Sequence, residues 1–310
     1  MSDKVLKVKN LAVVFKSRER KVHAVRGVDI EVNKGEIVGI VGESGSGKSV
    51  AMKAVIGILP DNASLSADIL LLGDKNLNKL SEKEYQKVRG RDITMIFQDP
   101  MTALNPVIRV GRQLEEVIIR NSGLSKKEAR EKALEIFERV GIPSPKESIK
   151  RYPHEFSGGM RQRVLIAMSL SCNPKLLIAD EPTTALDVTI QAQILDLIKN
   201  MSKDIKTSVI LITHDLGVVA ETCDRVVIMY GGLVMETGNI EEIFYSPRHP
   251  YTMALLQAIP SIDMDEGERL KSIEGFPPSL TDPPKGCPFA ERCEFRMDIC
   301  DSKRPPVSAF

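Results

Sequence analysis

The chain has no long hydrophobic run and no excess of charge of either sign. Within its 310 residues no segment approaches the roughly 18 apolar residues that a membrane span requires. The first residues, MSDKVLKVKN, lack the charged and then apolar pattern of a signal peptide. Lys and Arg total 43 against 42 Asp and Glu, so no overall basic field favours nucleic acid. We therefore expect a cytoplasmic protein that binds no nucleic acid and is free to dock on a membrane protein.

Cysteine is scarce, with five residues, and in a cytoplasmic chain we expect none of them to form disulfides. Cys172 and Cys223 are expected to be buried thiols of the core. Cys287, Cys293 and Cys300 cluster in a C-x₅-C-x₆-C pattern that differs from zinc-finger and ferredoxin spacing. Spacing alone leaves a metal site and an ordinary group of thiols both open.

Apolar residues make up 42% and charged residues 27%, which is typical of a globular protein. Short β-branched runs in residues 1–35 predict a small antiparallel sheet, and apolar strands alternate with helices farther on. The pattern predicts an α/β fold with a parallel-sheet core, interrupted by a helical subdomain at about residues 99–170. One of its helices is expected to start with a capping box at Ser125 and Glu128.

Prolines crowd the chain after about residue 240, where only one helix, at 250–258, is expected. We therefore predict a first domain over 1–240 and a small, loop-rich extension over 241–310. The hairpin signal Gly231-Gly232 lies just before this boundary.

The sequence GESGSGKS, residues 42–49, follows the apolar strand 36–41 and precedes a predicted helix at 50–59. It fits the phosphate-binding pattern G-x-x-x-x-G-K-[ST] in the required strand and helix context, which disfavours a chance glycine turn. Lys48 would supply positive charge to the β and γ phosphates, and Ser49 a hydroxyl to Mg²⁺. The predicted nucleotide-binding residues here are Gly42, Glu43, Ser44, Gly45, Ser46, Gly47, Lys48, Ser49 and Val50.

Polar residues also follow three other apolar strands. Asp180 closes LLIAD and Glu181 comes next, so one carboxylate can hold Mg²⁺ while the other orients or deprotonates water. In isolation a solvated acidic turn is an equal alternative. Gln98 follows ITMIF, where its amide can touch metal and water. His214 ends LLITH and is either structural or a γ-phosphate contact.

A second glycine pair lies in FSGGMRQR, residues 156–163. Ser157 is a plausible N-cap, and Gly158 and Gly159 leave backbone N–H groups uncovered at the start of a helix over 160–170. Such a helix start attracts anions. By itself, an ordinary glycine turn explains the pattern as well.

Taken in order, these motifs with Ala185-Leu186-Asp187 resemble the ATPase subunit of an ABC transporter over about residues 5–240. They match its Walker A, Q-loop, signature, Walker B, D-loop and switch histidine. Phe156 and Met160 depart from the commoner LSGGQ signature and leave its Ser-Gly-Gly intact.

The resemblance implies a P-loop NTPase fold with a RecA-like core. It implies two subunits that sandwich two ATP molecules, with Walker A of one facing the signature of the other. Lys48, Gln98, Glu181 as general base and His214 as γ-phosphate contact would be catalytic, and Asp187 would communicate across the dimer. The resemblance places Mg²⁺ at Ser49, Gln98 and Asp180. Phe15 would stack on adenine, and a core phenylalanine is the alternative.

Two further segments, QDPMTALNP and SPRHPYTMALLQAIP, are similar to the oligopeptide and dipeptide importer subfamily and its nickel and glutathione relatives. The similarity implies a peripheral subunit at the cytoplasmic face of the membrane. Its partners would be an identical or paralogous ATPase, two transmembrane permease subunits and, indirectly, an extracytoplasmic solute-binding protein. Met101, Ala103 and Leu104 are expected to expose an apolar surface for a permease helix, with loop packing as the alternative.

The subfamily also carries a C-terminal cysteine motif proposed to hold a [4Fe–4S] cluster. Cys287, Cys293 and Cys300 would supply three thiolates, whereas such a cluster normally takes four. The subfamily pattern runs on toward another cysteine, so the fourth ligand stays open.

Two other functions are carried as alternatives: a soluble ABC ATPase of DNA repair or translation, whose coiled coils or second cassette are missing here, and a redox-sensing regulator built on the cysteines.

Overall fold

A computed structural model describes residues 4–17, 20–184, 186–259 and 273–309, the side chains of Pro100 and Met101 excepted. It contains two compact units. The first consists of Met1–Leu6, Val32–Ile37 and Leu72–Ile212, and the second of Lys7–Glu31, Val38–Leu71 and Thr213–Phe310.

The strands in the described residues are β1 (Lys4–Lys16), β2 (Lys21–Asn33), β3 (Ile37–Val41), β4 (Ala63–Ser66), β5 (Ile69–Leu72), β6 (Lys75–Asn76), β7 (Ile93–Ile96), β8 (Leu176–Asp180), β9 (Ser208–Thr213), β10 (Arg225–Tyr230) and β11 (Leu233–Asn239). The α-helices are α1 (Lys48–Val55), α2 (Glu82–Val88), α3 (Pro100–Ala103), α4 (Val110–Ser122), α5 (Lys126–Arg139), α6 (Pro145–Ser148), α7 (Gly158–Leu170), α8 (Val188–Ile205), α9 (Leu216–Thr222), α10 (Ile240–Tyr245), α11 (Pro250–Gln257) and α12 (Ile299–Ser302). Short 3₁₀ helices form at Leu77–Lys79, Pro153–Glu155 and Ala290–Arg292.

The core of the first unit is a set of parallel strands. β8 lies between β7 and β9, with Leu176 opposite both Ile93 and Ser208. Every residue of these strands is buried. Continuous apolar strands of this kind are found in parallel sheets that are covered on both faces. Because the strands are parallel, their carboxyl ends, where the polar residues follow, meet at one edge.

Helix α5 of the first unit begins where the sequence predicts. At α5 the backbone N–H of Ser125 donates to Glu128 at 2.8 Å, and the Ser125 hydroxyl accepts from the backbone N–H of Glu128 at 3.4 Å. This confirms the capping box. The buried face of α5 includes Ala133 and Phe137, and the chain turns after the helix at Gly141, where φ is +72°.

The second unit contains the small N-terminal sheet. β1 lies between β2 and β5 and pairs antiparallel with β4, with Ala12 opposite Ser66. β3 runs parallel to β10, which turns back antiparallel into β11. Gly231 and Gly232 both have positive φ, as a two-residue hairpin turn requires. The predicted antiparallel sheet and hairpin are confirmed.

The C-terminal extension contains more helix than the single one predicted. α11 confirms the prediction at 250–258, but α10 and the one-turn α12 also form. α10 begins with a capping box in which Asn239 and Glu242 each accept a 2.8 Å bond from the other's backbone N–H. The helix is too short for its apolar periodicity to be recognised in the sequence. Within the described ranges, no helix has the length and apolar character needed to cross a bilayer.

Candidate nucleotide-binding site

The loop between β3 and α1 surrounds the ammonium group of Lys48. Its Nζ donates to the carbonyl oxygens of Gly42 and Glu43 at 2.6 and 3.0 Å and to Ser46 Oγ at 3.4 Å. Lys48 is only 6% exposed, so its charge is held within the loop. A lysine so placed can compensate phosphate charge at the start of a helix.

Two glycines of this loop leave no room for a side chain. A Cβ on Gly42 would lie 2.0 Å from the carbonyl oxygen of Met229, and one on Gly47 would lie 2.4 Å from that of Ala24. Gly47 also has a φ of +97°. Only glycine permits both the close approach and this backbone conformation. The other predicted loop residues are Ser44 and Gly45, which are exposed, Ser46, which is buried, and Ser49 and Val50, which are half-buried at the start of α1.

Glu43 is held by three different groups of the second unit. Its backbone N–H donates to the hydroxyl of Tyr251 at 3.1 Å, and its carbonyl accepts from Lys48. Its carboxylate forms an ion pair with Arg292 at 2.8 Å. Burial raises the pKa of Tyr251, so this hydroxyl stays protonated at neutral pH.

In the first unit, a carboxylate and an amide meet after the parallel strands. Asp180 ends β8 and is 2% exposed, and Glu181 follows with a φ of +46°. The backbone N–H of Glu181 donates to Ile212 at 3.0 Å. Its Oε2 accepts from Gln98 Nε2 at 2.8 Å and from the Thr184 hydroxyl at 2.9 Å. The two donors fix the carboxylate at the end of the strand.

The glycine pair lies at the start of α7, as predicted. The Ser157 hydroxyl accepts a 3.3 Å bond from the backbone N–H of Met160, so Ser157 is the N-cap. Phe156 is 3% exposed and anchors the turn, whereas Ser157 is exposed. Asp187 caps α8 in the same way, through a 3.0 Å bond from the N–H of Ile190.

Two further predicted residues belong to the second unit. His214 follows β9 and is exposed, and the neighbouring Asp215 caps α9 by accepting from Gly217 at 2.8 Å. Phe15 lies in β1 opposite Ala63 and is half-buried.

Residues 25–184 match the family described as "ABC transporter". The chain belongs to the ABC transporter family. Residues 235–300 match a second description, "Oligopeptide/dipeptide transporter, C-terminal region". The chain is 54% identical over 305 residues to the oligopeptide transport ATP-binding protein OppD of Bacillus subtilis (strain 168), covering 98% of this chain and 85% of the relative. It is also 54% identical over 304 residues to the dipeptide transport ATP-binding protein DppD of that organism, covering 98% and 90%.

Solved structures of ABC cassettes are similar in fold. The ATP-binding cassette MJ0796, in a dimeric post-hydrolysis state bound to ADP and Pi, has a TM-score of 0.65 at 28% identity, covering 76% of this chain and 98% of that one. CbiO1 of Clostridium perfringens, part of the ABC transporter complex CbiONQ, has a TM-score of 0.67 at 31% identity, covering 79% and 92%. The predicted P-loop NTPase fold is thereby confirmed, and this ABC transporter chain is an ATPase.

The donors predicted for a metal ion are suited to Mg²⁺ by their chemistry. Ser49 offers a hydroxyl, Gln98 an amide oxygen and Asp180 a carboxylate, and hard oxygen donors are the ligands that Mg²⁺ prefers. Ser49 belongs to the second unit and the other two to the first.

Two expectations about burial are wrong. Leu104 is 2% exposed, because the chain folds it inward from the turn after α3, so it adds no apolar surface beside Gln98. Ala103 is exposed as expected, and the side chain of Met101 lies outside the described residues. Cys223 is buried, but Cys172 is only half-buried, with its sulfur 3.6 Å from the hydroxyl of Ser122. Ala185 also lies outside the described residues.

The three C-terminal cysteines are free thiols of the extension. All are half-buried, and the backbone N–H of Cys287 donates to the carbonyl of Cys300 at 2.7 Å. Burial raises the pKa of the Cys287 and Cys293 thiols, and nearby Cys300 adds to both shifts. Three thiols are one short of the usual set for a [4Fe–4S] cluster. Across the ranges that the structure describes, no three Cys, His, Asp or Glu residues are grouped to hold a metal ion.

Arg292, Tyr251 and Tyr230 were missed by the sequence analysis. They contact the phosphate-binding loop or its partner residues, although Arg292 lies 249 positions from Glu43. One local signal was available, since Arg292 and Tyr251 both fall in segments similar to the peptide-importer subfamily.

Proposed function

We propose that the chain is the ATP-hydrolysing subunit of an importer of dipeptides or oligopeptides. Its near full-length similarity to the oligopeptide and dipeptide transport proteins of Bacillus subtilis supports this cargo. The chain would act at the cytoplasmic face of the membrane with a second ATPase subunit and two transmembrane permease subunits. An extracytoplasmic solute-binding protein would deliver the cargo to the permeases.

One observation carries the catalytic part of the proposal, namely the Glu181 carboxylate held by Gln98 at the end of β8. A carboxylate there would act as general base on the water that attacks the γ-phosphate. Gln98 would orient the carboxylate and the water, and His214 would contact the γ-phosphate. Lys48 would compensate the charge of the β and γ phosphates.

Mg²⁺ would be held by Ser49, Gln98 and Asp180. When bound, the ion neutralises charge that develops on the phosphate oxygens. The phosphates themselves would lie on the loop of residues 42–47, because glycine-rich loops of this kind bind phosphate oxygens through backbone N–H groups. Phe15 would stack on the adenine.

The exposed N-cap Ser157, with Gly158 and Gly159, would serve an ATP held by the partner subunit. This arrangement makes the dimer the active unit, and Asp187 would communicate between the two sites. ATP binding would close the dimer and hydrolysis would reopen it. In the domain organisation we propose, residues 1–240 form the ATPase domain, with its helical subdomain at about 99–170, and residues 241–310 form the extension.

The proposal is tested by co-expressing the chain with its membrane partners and reconstituting the complex in liposomes. ATP hydrolysis is then measured with the solute-binding protein and with dipeptides, oligopeptides, nickel or glutathione. Stimulation by peptides alone is the expected result. Stimulation by another solute would replace the cargo, and a Lys48→Ala complex that hydrolyses ATP normally would remove the ATP site from residues 42–49.

We also propose, separately, that Cys287, Cys293 and Cys300 supply thiolate ligands to an iron–sulfur cluster. The match of residues 235–300 to the oligopeptide/dipeptide transporter C-terminal region supports this, although the three thiols are not grouped as a metal site in the residues that the structure describes. The fourth ligand must come from outside this set. Anaerobic purification with iron and sulfide analysis tests it, together with visible absorbance and the triple Cys→Ser variant. Absence of iron and sulfide from both proteins would rule out the cluster. If the ATPase rate changed together with oxidation of the cluster, the alternative hypothesis of a redox-sensing regulator would be favoured.

A further inference from the structure

A buried arginine of the C-terminal extension holds the acidic residue of the phosphate-binding loop. Arg292 Nη1 donates to both carboxylate oxygens of Glu43, at 3.0 and 2.8 Å. The Arg292 side chain is only 6% exposed, and that of Glu43 is 25% exposed. Ion pairs with so little water contact are screened far less than surface pairs.

The other nitrogens of the same guanidinium are also fixed. Nε donates to the carbonyl of Glu274 at 2.8 Å and Nη2 to that of Ile273 at 2.9 Å. Nη1 also reaches the Tyr230 hydroxyl at 3.0 Å. All three nitrogens therefore have partners. The planar guanidinium is held in one orientation, with Nη1 directed at the carboxylate of Glu43.

The aromatic residues behind this pair make the support rigid. Tyr230, Tyr251 and Phe289 are each buried, with ring centroids 4.5 to 5.4 Å apart. The Tyr251 hydroxyl accepts a hydrogen bond from the backbone N–H of Glu43, and Arg292 binds the side-chain carboxylate of Glu43. The backbone and the side chain of one loop residue are thus both fixed by residues outside the loop.

Glu43 is an unfavourable residue for a loop that binds phosphate. Its negative charge repels an anionic ligand, and its carbonyl is one of the groups that hold the Lys48 ammonium. The pairing with Arg292 neutralises the carboxylate and keeps it directed toward the extension.

We propose that Arg292 is a positioning residue for ATP binding, which neutralises Glu43 and fixes the phosphate-binding loop from the C-terminal extension. The inference rests on the proposed assignment of residues 42–49 to the ATP phosphates. Its consequence is that the extension, in addition to any role of its cysteines, is part of what gives the loop its affinity for ATP.

The test uses the full-length chain with Arg292→Ala, Glu43→Gln and the double variant. Equilibrium titration with a fluorescent ATP analogue gives Kd, and steady-state hydrolysis gives KM and kcat. Because Arg292→Ala leaves the Glu43 carboxylate without its neutralising partner, we expect it to weaken binding of the anionic ATP about tenfold or more, with KM changed more than kcat. Glu43→Gln removes the repulsive charge, so it and the double variant should bind within about threefold of wild type, a loss of only ~0.7 kcal/mol.

Rescue by Glu43→Gln separates charge neutralisation from a purely structural role. Arg296→Ala is the matched control, because it removes an exposed pair with Asp301 in the same extension and should leave Kd unchanged. Arg292→Gln, which keeps a hydrogen-bond donor, replaces Arg292→Ala if that variant fails to fold. A folded Arg292 variant with wild-type Kd, or a double variant that binds no better than the Arg292 variant alone, would overturn the inference. If the wild-type chain did not bind the ATP analogue, the proposed ATP site itself would be wrong.

Discussion

The side-chain amide of Gln98 donates to Oε2 of Glu181 over 2.8 Å, although 83 positions separate the two residues. Thr184 donates to the same oxygen. Two donors on one oxygen hold the carboxylate at the end of β8 in one orientation. A general base needs such control of orientation as well as a suitable pKa, because proton transfer depends on hydrogen-bond geometry.

Glu181→Gln should abolish turnover and preserve ATP binding. The substitution keeps the size of the side chain and removes its ability to take a proton, so we expect hydrolysis to fall by about a hundredfold or more. ATP should then trap a closed dimer, which size-exclusion chromatography with and without ATP detects. Glu82→Gln, in an exposed pair with Arg89 in the same unit, is the control. Near-normal turnover in Glu181→Gln would exclude Glu181 as the base.

Local sequence patterns predicted the parts of this site that depend on local geometry. The loop of residues 42–49, the Ser157 cap and the Ser125 capping box each rest on residues within a few positions of one another. Leu104 was placed wrongly, because whether a turn residue is exposed depends on what packs over it. The pair of Arg292 and Glu43 was missed for a related reason, since nothing local selects one cation among 43 Lys and Arg residues as the partner of a distant carboxylate.

Ser157→Arg should abolish hydrolysis while ATP binding at Lys48 persists. Ser157 is exposed at the start of α7, and an arginine there would project over the surface that is proposed to face the partner's ATP. Ser157→Ala removes only the cap and should lower stability by about 1 kcal/mol. Nucleotide titration and ATPase rates are the measurements.

The N-cap of α5 offers a matched control for this variant. Ser125→Arg disturbs a comparable cap in the same unit and should leave hydrolysis in place. Equal loss of activity in Ser125→Arg and Ser157→Arg would mean that capping, and no contact with a second nucleotide, explains the effect.

Alkylation of Cys287 and Cys293 in the metal-free chain should be slow at neutral pH. Burial raises the pKa of both thiols, and only the thiolate reacts. The rate of carbamidomethylation by iodoacetamide, followed by mass spectrometry of each peptide, should keep rising with pH beyond the range where an ordinary thiol levels off. Rapid labelling of both residues at pH 7 would contradict the burial seen here.

Acidification should destabilise the C-terminal extension through His249. Its Nδ1 accepts the backbone N–H of Tyr251 at 3.1 Å, which caps α11, so the neutral ring is required. Burial lowers the pKa of His249 from its usual 6.5, and the opposing charge of Glu236 does not reverse the shift. The unfolded chain therefore binds this proton more readily than the folded chain. The contribution of His249 to the free energy of unfolding is fully present above pH 6.5, and it is lost as the pH falls below that value.

His249→Asn isolates this contribution, because asparagine also accepts a cap hydrogen bond and does not titrate. Thermal unfolding of both proteins from pH 7.5 to pH 5 is the measurement. Other carboxylates titrate in both proteins, so the decisive quantity is the difference between the two melting temperatures at each pH. We expect wild type to lose more than His249→Asn below pH 6.5. A difference in melting temperature that stays constant with pH would show that protonation of His249 is not linked to unfolding.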